Sequence, residues 1–536
     1  MKSLIILFAD NFSSFGFEKS FDGKSAFEKT LQWAESVKSS SKIEVFCHED
    51  NKNDVIAQAG TDICVKSKKE WTNEILFSEI SDSLTKTDCD YALFNFAFNP
   101  FTDLNLTEKL VSTHENFKSE YSFADGYPSG VCPEILDKGL VKILSELIKT
   151  KEDLKNQKVT RTSIFDLIKT DINSFEIETE ISTNDWRLLR LDFSCDKKEN
   201  YLSCINLFDD IKNMSESDKA DIQKICEAAS KNVNVLKTIP GYFNIQISKD
   251  YQSKNPYCAY SNYGNKVDEN MTLAGFKNLI KKINDFNPDA VVSLSLWGDP
   301  VIHPEFFEFV DEVIKYPGLT ALIETDGFDF NSADYNSDSA AGLKKLKNLS
   351  DKVKLAGKRK NGFSSLIWIV NVDAMTQQTY EDIHPGMNLE NAVSSVKILN
   401  SFFEGNVYAQ FLRILKNESE LESFYRTYKE KDSISNGNFI IAKYDHFCKK
   451  MPEIKSADLA PVDRNPCWHL RRDFNVLADG TVPLCREKSF ESDCGNALNE
   501  ELPLIWKKFD SAVQNDIDKK YCEGCSCCDE YYTFNF

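Results

Sequence analysis

Ala290-Val291-Val292-Ser293-Leu294-Ser295-Leu296 is an apolar, β-branched run, and it opens straight into Trp297-Gly298-Asp299-Pro300-Val301-Ile302-His303-Pro304. A short buried strand, a turn carrying glycine and proline, and then the helical pattern Pro304–Lys315 read as one βα unit. The same rhythm surrounds it. Strands are expected at Phe243–Ile247, Ala321–Glu324, Leu366–Asp373 and Val407–Leu415, with helices at Leu273–Asn284 and Leu389–Phe403. Sequential strands with helical crossovers predict a parallel sheet that closes into a barrel or part of one, with ligands at the carboxyl ends of its strands.

Residues 1 to 204 carry an independent α/β pattern. Strands are expected at Leu4–Phe8, Ile43–Cys47 and Tyr91–Phe96, and helices at Ser25–Ser39 and Leu106–Lys118. These are βαβ units, so the sheet should be largely parallel or mixed. Residues 205–239 read as a charged helical connector, with Asp209, Asp210, Asp218, Lys219, Asp221 and Lys224. Pro240-Gly241 breaks the chain before the barrel segment, 240–451. Pro452–Pro466 is a proline-punctuated linker that opens a final block, 452–536.

At 536 residues the chain is too long for one hydrophobic core. A formal charge of −20 argues against a nucleic-acid partner, which needs a basic surface. The first residues, Met1 to Asp10, hold too few apolar positions for a signal peptide and read as a strand. No stretch reaches the ~18 apolar residues of a membrane span. A cytoplasmic protein with no membrane partner is expected. In a reducing cytoplasm sixteen cysteines are not a disulfide framework.

Seven of those cysteines lie between Cys467 and Cys528. Twelve residues separate Cys467 from Gly480, and four separate Gly480 from Cys485. Asp479-Gly480 suits a hairpin turn that would bring Cys467 and Cys485 onto neighbouring strand ends. Cys522-Glu523-Gly524-Cys525 places two thiolates on one loop. Two loops of two thiolates each make a four-sulfur metal site, with Cys528 a further candidate ligand and Cys494 and Cys527 spare. Four thiolates suit one 4Fe–4S cluster or one structural zinc ion. The other nine cysteines (Cys47, Cys64, Cys89, Cys132, Cys195, Cys204, Cys226, Cys258 and Cys448) are scattered. All but Cys258 read as small buried hydrophobes.

The Cys467–Gly480–Cys485 spacing, followed by Gly495-Asn496 and Leu504-Ile505-Trp506, resembles the SPASM domain of radical-SAM peptide-modifying enzymes. That resemblance implies an auxiliary iron–sulfur cluster. The two-cluster pattern fails after Cys525, so one 4Fe–4S cluster is expected, with zinc as the alternative. The tail Asp529-Glu530-Tyr531-Tyr532 has no role in the pattern. The middle segment resembles the radical-SAM barrel. Gly298, Asp299 and Pro300 match its S-adenosylmethionine-binding loop, with Asp299 in place of Glu. Glu324-Thr325-Asp326-Gly327, Val370-Asn371-Val372-Asp373 and Tyr380-Glu381-Asp382-Ile383-His384-Pro385-Gly386 follow in the family's order. Taken alone, Asp299 also reads as a helix cap. The family's Cys-x3-Cys-x2-Cys is missing. Aligned on Cys258, its first two slots hold Tyr251 and Asn255, and one cysteine cannot hold a cluster that needs three. Turnover of S-adenosylmethionine is therefore not expected, and the Gly298–Pro300 loop reads as a remnant.

The front segment resembles the cytidylyltransferase-like fold of sugar nucleotidyltransferases through Gly23-Lys24-Ser25, Ala97-Phe98-Asn99-Pro100 and Phe123-Ala124-Asp125-Gly126. Those enzymes cradle phosphates on a glycine-rich loop and hold Mg²⁺ on an Asp. Here the loop Ala9–Gly16 has one glycine, and Phe98 stands where the metal Asp is expected. Asp103 reads equally as a helix cap, and Lys24 as plain surface. The domain order as a whole is similar to the spiro-SPASM proteins of spirochaetes. The expected fold is thus α/β throughout: a nucleotidyltransferase-like sheet domain, a partial (β/α) barrel of radical-SAM type and a small cysteine-rich end domain. Three functions stay open. The first is an iron–sulfur protein without radical turnover, allowing a peptide or protein partner. The second is an active enzyme, either a nucleotidyltransferase or an atypical radical-SAM maturase. The third is a zinc-stapled scaffold.

Overall fold

Ser3–Ala9, the first apolar run, forms β1, and every one of its residues is buried. It is central to a sheet because it needs cover on both faces. β2 (Ser40–His48) and β4 (Tyr91–Phe96) flank it in parallel, and β3 (Cys64–Lys68) extends the sheet beyond β2. β5 (Tyr121–Asp125), β6 (Glu134–Asp137) and β7 (Ile177–Ile181) complete seven strands in the order β3-β2-β1-β4-β6-β5-β7. β6 runs antiparallel to both neighbours, so the sheet is mixed. The structure, a computed structural model, describes residues 1–9, 15–60, 62–263, 267–328, 339–359, 362–457, 460–461 and 463–533. The Ala9–Gly16 loop singled out above falls mostly outside them.

Helix starts follow local chemistry. Ser25 caps Ala26–Ser36 with a full capping box, its hydroxyl on Glu28 N and the Glu28 carboxylate on Ser25 N. Asp103 caps Leu104–Phe117 by accepting from Leu106 N at 2.6 Å. The charged stretch after residue 197 forms the helices Lys198–Ile211, Glu216–Lys219, Ile222–Lys231 and Val233–Leu236. These belong to the first of two compact units, Met1–Thr238, and the second runs from Ile239 to Phe536.

The second unit is built on β8 (Tyr242–Ile245), β9 (Val291–Ser293), β10 (Thr320–Thr325), β11 (Leu366–Asn371), β12 (Val407–Arg413) and β13 (Phe439–Lys443). All pair in parallel and in chain order, with the helices Leu273–Phe286, Phe306–Ile314, Ser339–Ala356, Leu389–Phe402 and Leu421–Tyr428 between them. Right-handed βα repetition of this kind makes a partial barrel. A seventh strand, β14 (Asp473–Val476), comes from the cysteine-rich block and pairs in parallel with β8, Phe474 against Phe243. The final block is thereby part of the barrel sheet. The core between sheet and helices is aliphatic and aromatic, with Phe243, Val292, Trp368 and Phe474 fully buried.

Candidate metal centre

Gly298 opens the turn after β9 with φ +73°, and a Cβ there would lie 2.1 Å from the Ser248 carbonyl oxygen. Only glycine fits. The turn delivers Asp299, which caps Pro300–Ile302 by accepting from Val301 N at 3.1 Å. Its other oxygen accepts from Gln252 Nε2 at 2.7 Å, Thr325 Oγ1 at 2.9 Å and Asp326 N at 3.2 Å. Burial and the nearby Asp326 charge push the Asp299 carboxyl up to about 7 against those donors. Asp326 accepts from Asn371 Nδ2 at 3.0 Å, and its carbonyl accepts from the Tyr380 hydroxyl at 2.9 Å. His384 lies fully buried, with Nε2 2.8 Å from Asp373 Oδ2 and Nδ1 3.8 Å from Asp326 Oδ2. Burial pulls the imidazole down, but Asp326 and Asp373 outweigh it and raise it. The motifs that follow one another in sequence thus meet in one hydrogen-bonded cluster at the carboxyl ends of β9 to β11.

The cluster implied by the radical-SAM resemblance does not fit here, because Tyr251 and Asn255 stand where two of its three thiolates would be required. Tyr251 packs edge-on to Tyr260, and Gln252 already donates to the carboxylate of Asp299. Tyr260 stacks on Trp297 at 5.7 Å, and Phe447 and Phe490 close over them.

The sulfurs gather elsewhere. Cys448, Cys467, Cys485, Cys525 and Cys528 line one cavity of about 20 Å³, together with His469, Glu487, Lys488, Asp516 and Glu530. Each is brought by its own piece of chain. Cys467 precedes the short helix Trp468–Arg472, and its N–H donates to Asp516 Oδ2 at 2.5 Å. Cys485 follows a turn at Gly480, whose φ of +88° and 2.7 Å approach to Asn496 exclude any side chain. The tail turn brings Cys525 and Cys528. Burial pushes the Cys467 thiol up to about 12 and Cys485 well above the ordinary range. A bound cation reverses that penalty, because a coordinating thiol gives up its proton.

Two expectations need correction here. Cys467 heads a helix rather than ending a strand, and the segment after Gly480 pairs with residues 494–496, Val482 N donating to Gly495 O at 2.8 Å. The Asp-Gly turn is present, but its partner is different. Cys448 is no buried hydrophobe: it stands in the cavity wall. The readable signal was its setting, Asp445-His446-Phe447-Cys448-Lys449-Lys450, which is polar where Cys47 follows Val45-Phe46. Cys64, also read as buried, is exposed, whereas Cys47, Cys89, Cys195, Cys204 and Cys226 are buried. Cys522 is exposed and outside the cavity, its thiol donating to Cys525 Sγ at 3.0 Å. Cys494 packs against the barrel core. The tail acquires a role. Asp529 pairs with Lys443 at 2.7 Å and with Lys455, and Glu530 pairs with Lys443. Arg464 lies over the rings of Tyr521 and Tyr531 at 4.2 and 4.5 Å. These contacts clamp the last cysteines to the end of β13.

In the front unit, Phe98 is buried and T-stacked on Phe17 at 5.0 Å, and its ring lies where any side chain on Gly16 would go. Phe15 stacks on Tyr201 at 5.0 Å. Lys24 is an exposed residue bonded to Gln32, and Asp103 is spent on its helix cap. Beside Phe98, Arg161 bridges the Asn99 side-chain carbonyl at 3.1 Å and the Asp196 carboxylate at 2.5 Å.

No family model matches the chain. Its sequence is 35% identical over 384 residues to an uncharacterized protein of Treponema pallidum (strain Nichols), across 70% of this chain and 98% of that protein. The chain belongs to that protein's family. Among solved structures it is similar to BtrN in complex with AdoMet and 2-DOIA, with 16% identity over 55% of this chain and 94% of that one and a TM-score of 0.35. A cytidylyltransferase from Leptospira borgpetersenii aligns with 44% of this chain and 97% of its own, at 16% identity and a TM-score of 0.35. Streptococcus suis SuiB bound to precursor peptide SuiA aligns with 73% of this chain and 84% of its own, at 11% identity and a TM-score of 0.40. No helix among the described residues is long and apolar enough to cross a membrane.

Proposed function

We propose that this protein holds one 4Fe–4S cluster in the C-terminal cavity, with Cys467, Cys485, Cys525 and Cys528 as candidate ligands. It has no S-adenosylmethionine cleavage of its own. The observation that carries the reading is sulfur spacing. A tetrahedral zinc ion with Zn–S bonds of about 2.3 Å holds its thiolates about 3.8 Å apart. Among the described residues no three cysteine sulfurs lie within 4.8 Å of one another, a spacing met by the group Asp445, His446 and Asp529. Five cysteines instead line one cavity, and a cubane would take four of their thiolates, each on a different iron. Bound there, the cluster would supply one-electron redox capacity, or simply hold four chain segments together. The tail clamp and the Asp516 bond to Cys467 would keep its ligands in place.

The second half of the proposal is supported by Gln252, which donates to the carboxylate that the loop Gly298-Asp299-Pro300 would otherwise offer. In the same reading the segments 1–204, 205–239, 240–451 and 452–536 are a nucleotidyltransferase-like domain without turnover, a connector, a barrel of radical-SAM type and a SPASM-type end domain. The protein works in the cytoplasm with a peptide or protein partner. The test is metal and acid-labile sulfide analysis of the full chain after anaerobic purification. About four irons and four sulfides per chain are expected. Replacing Cys467 or Cys485 by Ser should abolish the brown chromophore. One zinc per chain without sulfide, or deoxyadenosine formed from S-adenosylmethionine under dithionite, would refute it.

A further inference from the structure

Five cysteines line the cavity, and the one that spacing alone would never select is held there most elaborately. Phe447, Cys448 and Lys449 have φ of +50°, +55° and +65°, three successive non-glycine residues in the left-handed region. Such a run persists only where its surroundings over-determine it. Here Phe447 N donates to Asp445 Oδ1 at 2.7 Å, Lys449 N to His446 Nδ1 at 3.3 Å and Met451 N to His446 O at 3.0 Å. The turn is then tied to the tail. The Cys527 thiol donates to Cys448 O at 3.4 Å. Gly524, at φ +83°, lies beside it, since a Cβ there would be in ordinary van der Waals contact with Cys448 Cβ at 3.6 Å. Cys448 therefore packs into the loop that carries Cys525 and Cys528, and lines the cavity with them.

Cys522 has the opposite character. It is exposed, and its sulfur lies 3.0 Å from Cys525 Sγ. Unlike Cys448, it does not line the cavity.

We propose that Cys448 is a sulfur ligand of the group held in this cavity, in the position that the Cys-x-x-Cys spacing assigns to Cys522. Cys448, Cys467 and Cys485 then contribute one sulfur each from three separate segments, and of the tail candidates Cys525 and Cys528 only one contributes the fourth. The identity of the group rests on the iron–sulfur reading above, but the identity of the ligand does not.

The experiment compares full-length Cys448→Ala and Cys522→Ala proteins, purified anaerobically beside the unmodified chain. Iron, sulfide and zinc are counted, and the dithionite-reduced electron paramagnetic resonance spectrum is recorded. Cys448→Ala should lose at least five-sixths of the metal, while Cys522→Ala keeps its full content and an unchanged spectrum. The proposal is overturned if Cys448→Ala keeps both, or if Cys522→Ala is the variant that loses them. If the unmodified chain carries zinc and no sulfide, the cluster reading fails, yet the zinc content of the same two variants still decides the ligand. A measurement on the unmodified protein guards against misfolding of a variant. Iodoacetamide labelling read by mass spectrometry should mark Cys522 with or without metal, and Cys448 only after the metal is stripped by a chelator. Equal labelling of Cys448 before and after stripping would overturn the proposal.

Discussion

Phe474→Ala should unfold the second unit more easily and empty the proposed metal site in the same step. Phe474 is fully buried in β14, paired with Phe243 of β8 at a ring distance of 5.4 Å. Its ring also faces Trp506 at 6.0 Å and stacks on Phe509 at 6.2 Å. Truncating a buried Phe to Ala removes transfer energy and leaves a cavity, at about 3–5 kcal/mol. Loss of three aromatic neighbours places this site toward the upper part of that range, about 4 kcal/mol, close to a thousandfold in the folding equilibrium. Phe474→Leu, which keeps most of the volume, should cost about 1–1.5 kcal/mol. The strand lies between Cys467 and Cys485, so bound metal should fall along with stability. The assay is urea unfolding of the full chain, with tryptophan fluorescence and circular dichroism followed together because two units can unfold in separate transitions. A loss below about 1 kcal/mol for the Ala variant, or equal losses for Ala and Leu, would refute the claim that β14 is an integral strand of the barrel sheet.

Two further outcomes follow from buried groups. His384 is raised by Asp326 and Asp373 despite its burial, so its ion pairs contribute fully below the unfolded value of ~6.5 and are lost as pH rises through the folded value. Stability of the second unit should therefore decline on going from mildly acidic to alkaline pH, and His384→Gln should flatten that decline in parallel denaturation series. A profile unchanged by the substitution would mean that the imidazole is neutral throughout. In the front unit, Phe98→Asp should destabilise by about 3 kcal/mol or more, since it removes a buried ring and buries a carboxylate against Phe17 and Gly16. It should not create magnesium-dependent pyrophosphate release from CTP, and such release would show that the phenyl cluster is a displaceable lid.

Much of the α/β frame was legible because its signals are local. Tyr91–Phe96 is a strand over the same residues that its apolar run marks, and Ser25 and Asp103 announce helices by their capping chemistry. Elements that depend on distant partners were not. β14 is only Asp473-Phe474-Asn475-Val476, directly after a helical turn, and its partner β8 lies more than two hundred residues earlier. No local pattern chooses that partner over the Asp-Gly hairpin, which the chain satisfies instead with residues 494–496. The same holds at the cavity. Cysteine spacing identifies Cys467 and Cys485, because a loop brings them there. Cys448 arrives through tertiary packing against Gly524 and Cys527, which spacing cannot express.

The polar cluster at the barrel mouth raises the question of why its residues persist if they bind nothing. Its hydrogen bonds supply an answer. Asp299 is satisfied by Gln252, Thr325 and two backbone amides, and Asp373 by His384 and Leu412 N. Asn417 in turn donates to the Asp373 carbonyl at 2.7 Å. Removing one member of such a buried set strands the others at a cost of several kcal/mol, so the network sustains itself without a ligand. Its loop is also coupled to the sulfurs. Trp297, two residues before Asp299, donates from Nε1 to Ser489 Oγ at 3.0 Å and carries the Arg486 guanidinium over its ring at 5.0 Å. Arg486 follows Cys485 directly. Any group that orders Cys485 therefore also orders the indole that seals the mouth, and its binding energy becomes folding energy for both. The turn that carries Cys485 and the loop that carries Asp299 are thereby packed as one structural element.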